Sequence, residues 1–157
     1  MTFPKILGYR GTVRDVRALV QRAQGLTLVR ADRVYGRDHL LHAAALAQRA
    51  LAEGRARSAD VQTETLLYAA GERQIGKALD FMGLRDGMDA VAVVSWGADP
   101  EPLARALGWT RDDGVLAGGP AVLDAFGVAA EERAMLPPER WGEFILERVA
   151  LTDVLKA

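Results

Sequence analysis

The chain has 157 residues, 50% of them hydrophobic and 26% charged, with 20 Lys+Arg against 21 Asp+Glu for a formal charge of −1. These proportions predict one globular domain over residues 1–157 and exclude a disordered, collagenous or coiled-coil chain. Without a cysteine there is no disulfide framework, no thiol nucleophile and no cysteine-ligated metal centre.

The predicted elements run as follows. Lys5-Ile6-Leu7-Gly8-Tyr9 is short, apolar and stopped by Gly11, a strand. Thr12-Val13-Arg14-Asp15 reads as a capping box for a helix whose stripe is Val13, Val16, Leu19 and Val20, ending at Gly25. Leu26 to Ala31 alternates as a second strand, and Asp32 to Arg37 is a polar connection through Gly36. A long helix is predicted from Asp38 to about Glu53, with Leu40, Leu41, Ala44, Ala47 and Leu51 at helical spacing and Gly54 as its stop. Arg55-Ala56-Arg57-Ser58 is a basic loop, followed by helices over Asp60–Ala70 and Gln74–Met82 that break at Gly71, the second closed by Gly83. Ala90 to Trp96 is a continuous apolar run, the expected central strand. A helix follows from Asp99 to Leu107, another near Ala121 to Phe126, a short strand at Arg133–Leu136, and a last helix opened by Pro138. Strands and helices in this order predict an α+β fold: a small, mostly antiparallel sheet of about four strands packed with several helices.

Charge is uneven along the chain. Residues 1–57 hold eleven bases and four acids, a surplus of +7, which leaves residues 58–157 at −8. Seventeen of the twenty bases are arginine, whose planar fork suits phosphate. The expectation is one cationic surface for a polyanion, with an acidic or basic protein partner as the alternative. Met1–Lys5 lacks the apolar core of a signal peptide, and no run approaches the roughly 18 apolar residues of a membrane span, so a cytoplasmic protein without a membrane partner is expected.

The catalytic search is empty. Gly71-Glu72-Arg73-Gln74-Ile75-Gly76-Lys77 has phosphate-loop spacing, but Ala78 stands where a Ser or Thr holds magnesium and a helix precedes it. A small nucleotide-binding enzyme using this degenerate loop is therefore the weaker alternative. His39 and His42 lie three apart with no third ligand in a metal motif; His42 is expected to be packed and His39 to sit on the surface in the helix's first turn. Ser58 and Ser95 lack a nucleophile elbow. Asp112-Asp113 and Glu131-Glu132 read as solvated acids. No catalytic residue, cofactor or metal is expected. What the residues do offer is binding: Arg49, Arg55 and Arg57 around the basic loop and Arg73 with Gln74 at the Gly71 corner can present forked donors to phosphates and base edges. Trp141, Phe144, Ile145, Arg148, Val149 and Thr152 recur at three and four along the last helix, an apolar face suited to a partner.

Several stretches match, in order, a known pattern: Leu41-His42-Ala43 to Ala47, Arg49-Ala50, Gly54-Arg55-Ala56-Arg57, Glu64-Thr65-Leu66-Leu67-Tyr68, Arg73-Gln74-Ile75, Ala78-Leu79 to Gly83-Leu84, and the closing Arg148 to Leu155. In these the chain resembles the KEOPS-complex subunit known in animals as the PRPK-binding protein, and the Gln74-Ile75 form is closer to the archaeal type. The region from Asp99 to Glu132 matches only in outline. The resemblance implies a non-catalytic α+β subunit that attaches to the small lobe of the KEOPS kinase, meets the other KEOPS subunits indirectly, and recruits tRNA, including its 3′ CCA end, for threonylcarbamoylation of adenosine 37. It implies tRNA contacts at Arg55, Arg57, Arg73 and Gln74, with Arg49 alongside, and the kinase contact is expected at Phe144, Ile145, Arg148 and Val149. One departure stands out: the family's basic loop often carries lysines, and here arginine alone does that work. A pure protein–protein adaptor without RNA is the remaining alternative.

Overall fold

The computed structural model describes residues 3–156 and the side chains through Val154. Met1, Thr2, Ala157 and the Leu155 side chain, on which parts of the signal-peptide reading and the closing motif fall, lie outside the described residues.

The elements run β1 (Lys5–Arg10), α1 (Val16–Arg22), β2 (Leu26–Arg30), α2 (Arg37–Ala52), α3 (Val61–Ala70), α4 (Ile75–Met82), β3 (Ala90–Ser95), α5 (Glu101–Leu107), β4 (Thr110–Arg111), α6 (Pro120–Ala125), α7 (Ala130–Arg133) and α8 (Gly142–Lys156). Short 3-10 turns at Ala31–Arg33, Asp113–Leu116 and Pro138–Arg140 join them. The four strands form one antiparallel sheet in the order β2-β3-β1-β4, so the α+β expectation holds, with β3 in the interior.

Alternation along the strands builds two cores. Ile6, Val29, Ala92 and Val94 face α2 and α3, while Leu7, Tyr9, Val91 and Val93 face Leu19 of α1, Ala104 of α5 and Trp109. A third cluster of Leu123, Val128, Phe144 and Ile145 docks α6 and α8. Gly8 is required in β1 by close approach: a Cβ there would lie 2.6 Å from the Asp112 carbonyl oxygen and 2.6 Å from Val115 Cγ2.

Several expectations change. The first helix starts at Val16, where the Asp15 carboxylate accepts from the Ala18 amide. Val13 precedes it, its backbone bonded to Met88 and Gly87 and its side chain buried in the core with Leu19, and Val20 is exposed. Arg133–Leu136 is not a strand: Arg133 ends α7, and the Trp141 indole N–H donates to the Arg133 and Leu136 carbonyls at 3.1 and 3.2 Å, holding a turn. The fourth strand is Thr110–Arg111, a two-residue edge too short to carry an alternation signal.

The two histidines exchange roles. His39 is fully buried: its Nδ1 accepts from the Tyr35 amide at 3.0 Å and its Nε2 lies 2.8 Å from the Ala69 carbonyl, so the Nε2–H tautomer satisfies both. His42 is exposed.

Candidate partner-binding surfaces

The basic loop is a consequence of how α2 ends. Gly54, at φ 70°, takes the left-handed conformation that stops the helix, and the Arg55 amide closes back on the Ala50 carbonyl at 2.8 Å. The chain then returns antiparallel toward α3, which Asp60 caps by accepting from the Thr63 amide at 2.7 Å.

Glu64 holds this return. It is fully buried on α3, and its Oε1 accepts from the Arg57 amide at 3.0 Å, the Ser58 amide at 3.1 Å and the Ser58 hydroxyl at 3.0 Å. A buried carboxylate is stable only when bonded in this way, so Glu64 fixes the path of residues 57 and 58 and with it the exposed Arg57 side chain.

Arg55 is engaged. Its guanidinium donates to Asp153 of α8 at 3.0 Å and to Glu53 at 3.3 Å. The same Asp153 oxygen accepts the Tyr68 hydroxyl. Burial, reinforced by that carboxylate, pushes the Tyr68 phenol up, so it remains a protonated donor.

Arg49 is exposed in the last turn of α2, beside this loop. Arg73 and Gln74 are also exposed but follow Gly71 at the far end of α3, about 15 Å away by the rise of a ten-residue helix. The expected single cationic corner is therefore two patches joined by α3. Nor do the amino-terminal arginines form one face. Arg14, Arg17 and Arg22 lie on or next to α1, across the sheet from α2 and α3, and Arg10 pairs with Asp112 at 2.7 Å. The sequence surplus of +7 is thus divided between two sides of the molecule.

The phosphate-loop motif lacks its setting. Gly71 caps α3 in the left-handed conformation instead of following a strand, and the Glu72 carboxylate accepts from the Arg73 and Gln74 amides at 2.9 and 3.3 Å. The amides a phosphate would use already hold an anion from the chain itself.

Three of the four residues expected to meet a kinase are internal, and the fourth, Arg148, is half-buried. Phe144, Ile145 and Val149 are buried in the core, where a partner cannot reach them, and Arg148 donates to the Phe126 and Phe144 carbonyls and to Glu132. The outward side of α8 instead carries Leu151, 44% exposed, and Val154, 68% exposed. Their spacing of three puts both on one strip of helix. The residues that sequence reasoning passed over are thus Glu64, Asp153, Leu151 and Val154. Only Glu64 had a signal, a charge set directly before the largely apolar run from Thr65 to Ala70.

Among the described residues no helix is long and apolar enough to cross a membrane. No curated protein matches the chain in sequence. The model of the kinase binding protein CGI-121 family matches residues 13–111, which take in α1 to α5, the basic loop and the strands β2, β3 and β4. Both ends of α3 fall within the matched region, and on that match the chain belongs to the CGI-121 family of kinase-binding proteins.

Proposed function

We propose that this kinase-binding chain acts without chemistry of its own, as a cytoplasmic subunit of the KEOPS assembly that recruits tRNA, including its 3′ CCA end, for threonylcarbamoylation of adenosine 37. The observation that carries the RNA part is the Glu64 cage. A buried charge committed to shaping an exposed arginine loop makes sense where the arginine must meet a ligand in a fixed place. Arg57 and Arg49 at one end of α3 and Arg73 with Gln74 at the other then track one strand of RNA, phosphates at the guanidiniums and bases free to stack.

The expected result with unmodified tRNA is binding that weakens steeply with salt. Arg57→Ala combined with Arg73→Ala should flatten the log–log salt slope by about one and a half units. An unchanged slope in the double variant would contradict the assignment.

For the kinase, the outer strip of α8 replaces the buried face. Leu151→Glu with Val154→Glu should weaken kinase capture about tenfold or more in a pull-down with purified kinase, because a charge at an apolar contact must be desolvated unpaired. Both side chains are exposed, so the melting temperature should stay within a few degrees. Full capture by this variant would move the contact elsewhere. A pure adaptor is the second reading, favoured by the engagement of Arg55 with Asp153 and Glu53; a chain that captures kinase yet shifts no tRNA at low salt would establish it.

A further inference from the structure

We propose that Asp153 is a built-in competitor for the phosphate that Arg55 would hold, and that it sets both the affinity and the selectivity of the basic loop; the inference rests on the RNA reading above. The geometry has three parts. Arg55 reaches 98 positions along the chain to Asp153, linking the loop after α2 to the carboxy-terminal helix. The pair is half open, with 41% of the Arg55 side chain and 25% of the Asp153 side chain exposed, so an incoming anion can reach the guanidinium. Tyr68, held protonated in the core, donates to the same Asp153 oxygen.

Tyr68 makes the exchange feasible. When a phosphate takes the guanidinium, Asp153 keeps the Tyr68 hydrogen bond and its share of water, so the carboxylate is not orphaned. The swap replaces one anion by another on Arg55. A single phosphate gains little from it, whereas a chain of phosphates already held by Arg57 and Arg49 is supplied at high local concentration and displaces the carboxylate. Asp153 thereby favours a polyanion over isolated anions. Because the freed carboxylate takes up a cation, the Arg55 contact releases almost no net ions in the native chain.

The test is fluorescence anisotropy with a labelled, unmodified tRNA transcript over a range of salt. Asp153→Asn keeps an acceptor for Tyr68 and removes the charge. It should bind roughly two- to fivefold tighter, the ordinary worth of an open ion pair, and steepen the salt slope by about one unit. Asp153→Glu should behave as the native chain. In an Arg55→Ala background the Asp153→Asn gain should vanish, which separates the latch from a general loss of negative charge. Independently of any variant, tRNA should shift the Asp153 carboxylate carbon resonance of the native protein. A gain that persists without Arg55, no gain when Arg55→Ala itself weakens binding, or a carboxylate resonance that does not move overturns the latch and leaves the RNA reading standing. A native chain that binds no tRNA at low salt overturns both.

Discussion

Replacing Glu64 by Ala should cost about 3 kcal/mol of stability and free the basic loop. Its Oε1 takes three donors, the amides of Arg57 and Ser58 and the Ser58 hydroxyl, at a position fully closed to solvent. Leaving buried donors unpaired costs about 1–3 kcal/mol each before relaxation, and the truncation adds a cavity. The loop surface is open, so water recovers part of the loss, which is why the expected figure is near the cost of one donor rather than three. Glu64→Gln keeps one acceptor oxygen and should restore more than half. Urea melts give the stability, and amide exchange at residues 57 and 58 reports the loop. A Glu64→Ala chain within about 1 kcal/mol of native stability, with those amides still protected, would show that the carboxylate is not what holds the loop.

Acidification should destabilise the fold through His39 before the carboxylates titrate. Burial pushes this imidazole down to about 4, opposed only by its bond to the Ala69 carbonyl. In the unfolded chain it titrates near 6.5. Between those values the unfolded state binds the proton and the folded state does not, so stability rises with pH; on lowering the pH from about 6.5 to about 4 the loss approaches roughly 3 kcal/mol, and below that this group adds nothing further. Denaturant melts at several pH values measure the loss, and the ring nitrogen shifts of His39 give its titration directly. An imidazole that charges at or above 6.5 in the folded protein would contradict its closed setting between Tyr35, Ala69 and the ring of Phe126, 5.5 Å away.

That histidine also shows what the sequence could and could not carry. The long helix, its stop at Gly54 and the break at Gly71 were legible because caps and left-handed glycines act within a few residues. Its phase was not. The leucine-weighted stripe put Leu41 and Leu51 inward, whereas the buried line is His39, Ala43, Ala47 and Ala50, with Leu40 and Ala44 beside it. Alanine faces let α2 and α3 approach closely, so the small residues and Leu40 take the interface and Leu41 its flank. The same shift puts His42 outward on the line of Arg49. Along α8 the apolar repeat was read correctly, but a repeat does not say whether its face meets the chain's own core or another molecule; Leu123 and Val128, from segments of no strong pattern, cover it. Ion pairs spanning 98 and 102 positions, Arg55 with Asp153 and Arg10 with Asp112, leave no trace in local spacing. Together with the arginines of α1 across the sheet, they are why a count of charge along the chain overstated one cationic face.

The most direct test of the account is to cross-link a photoreactive tRNA to the kinase-bound chain and map the attached peptides. The account predicts attachment within residues 54–60 and 71–77, at the two ends of α3, with α1 and α5 unmarked. Attachment confined to α1 and α5 across the sheet, or none while the kinase stays bound, would contradict it.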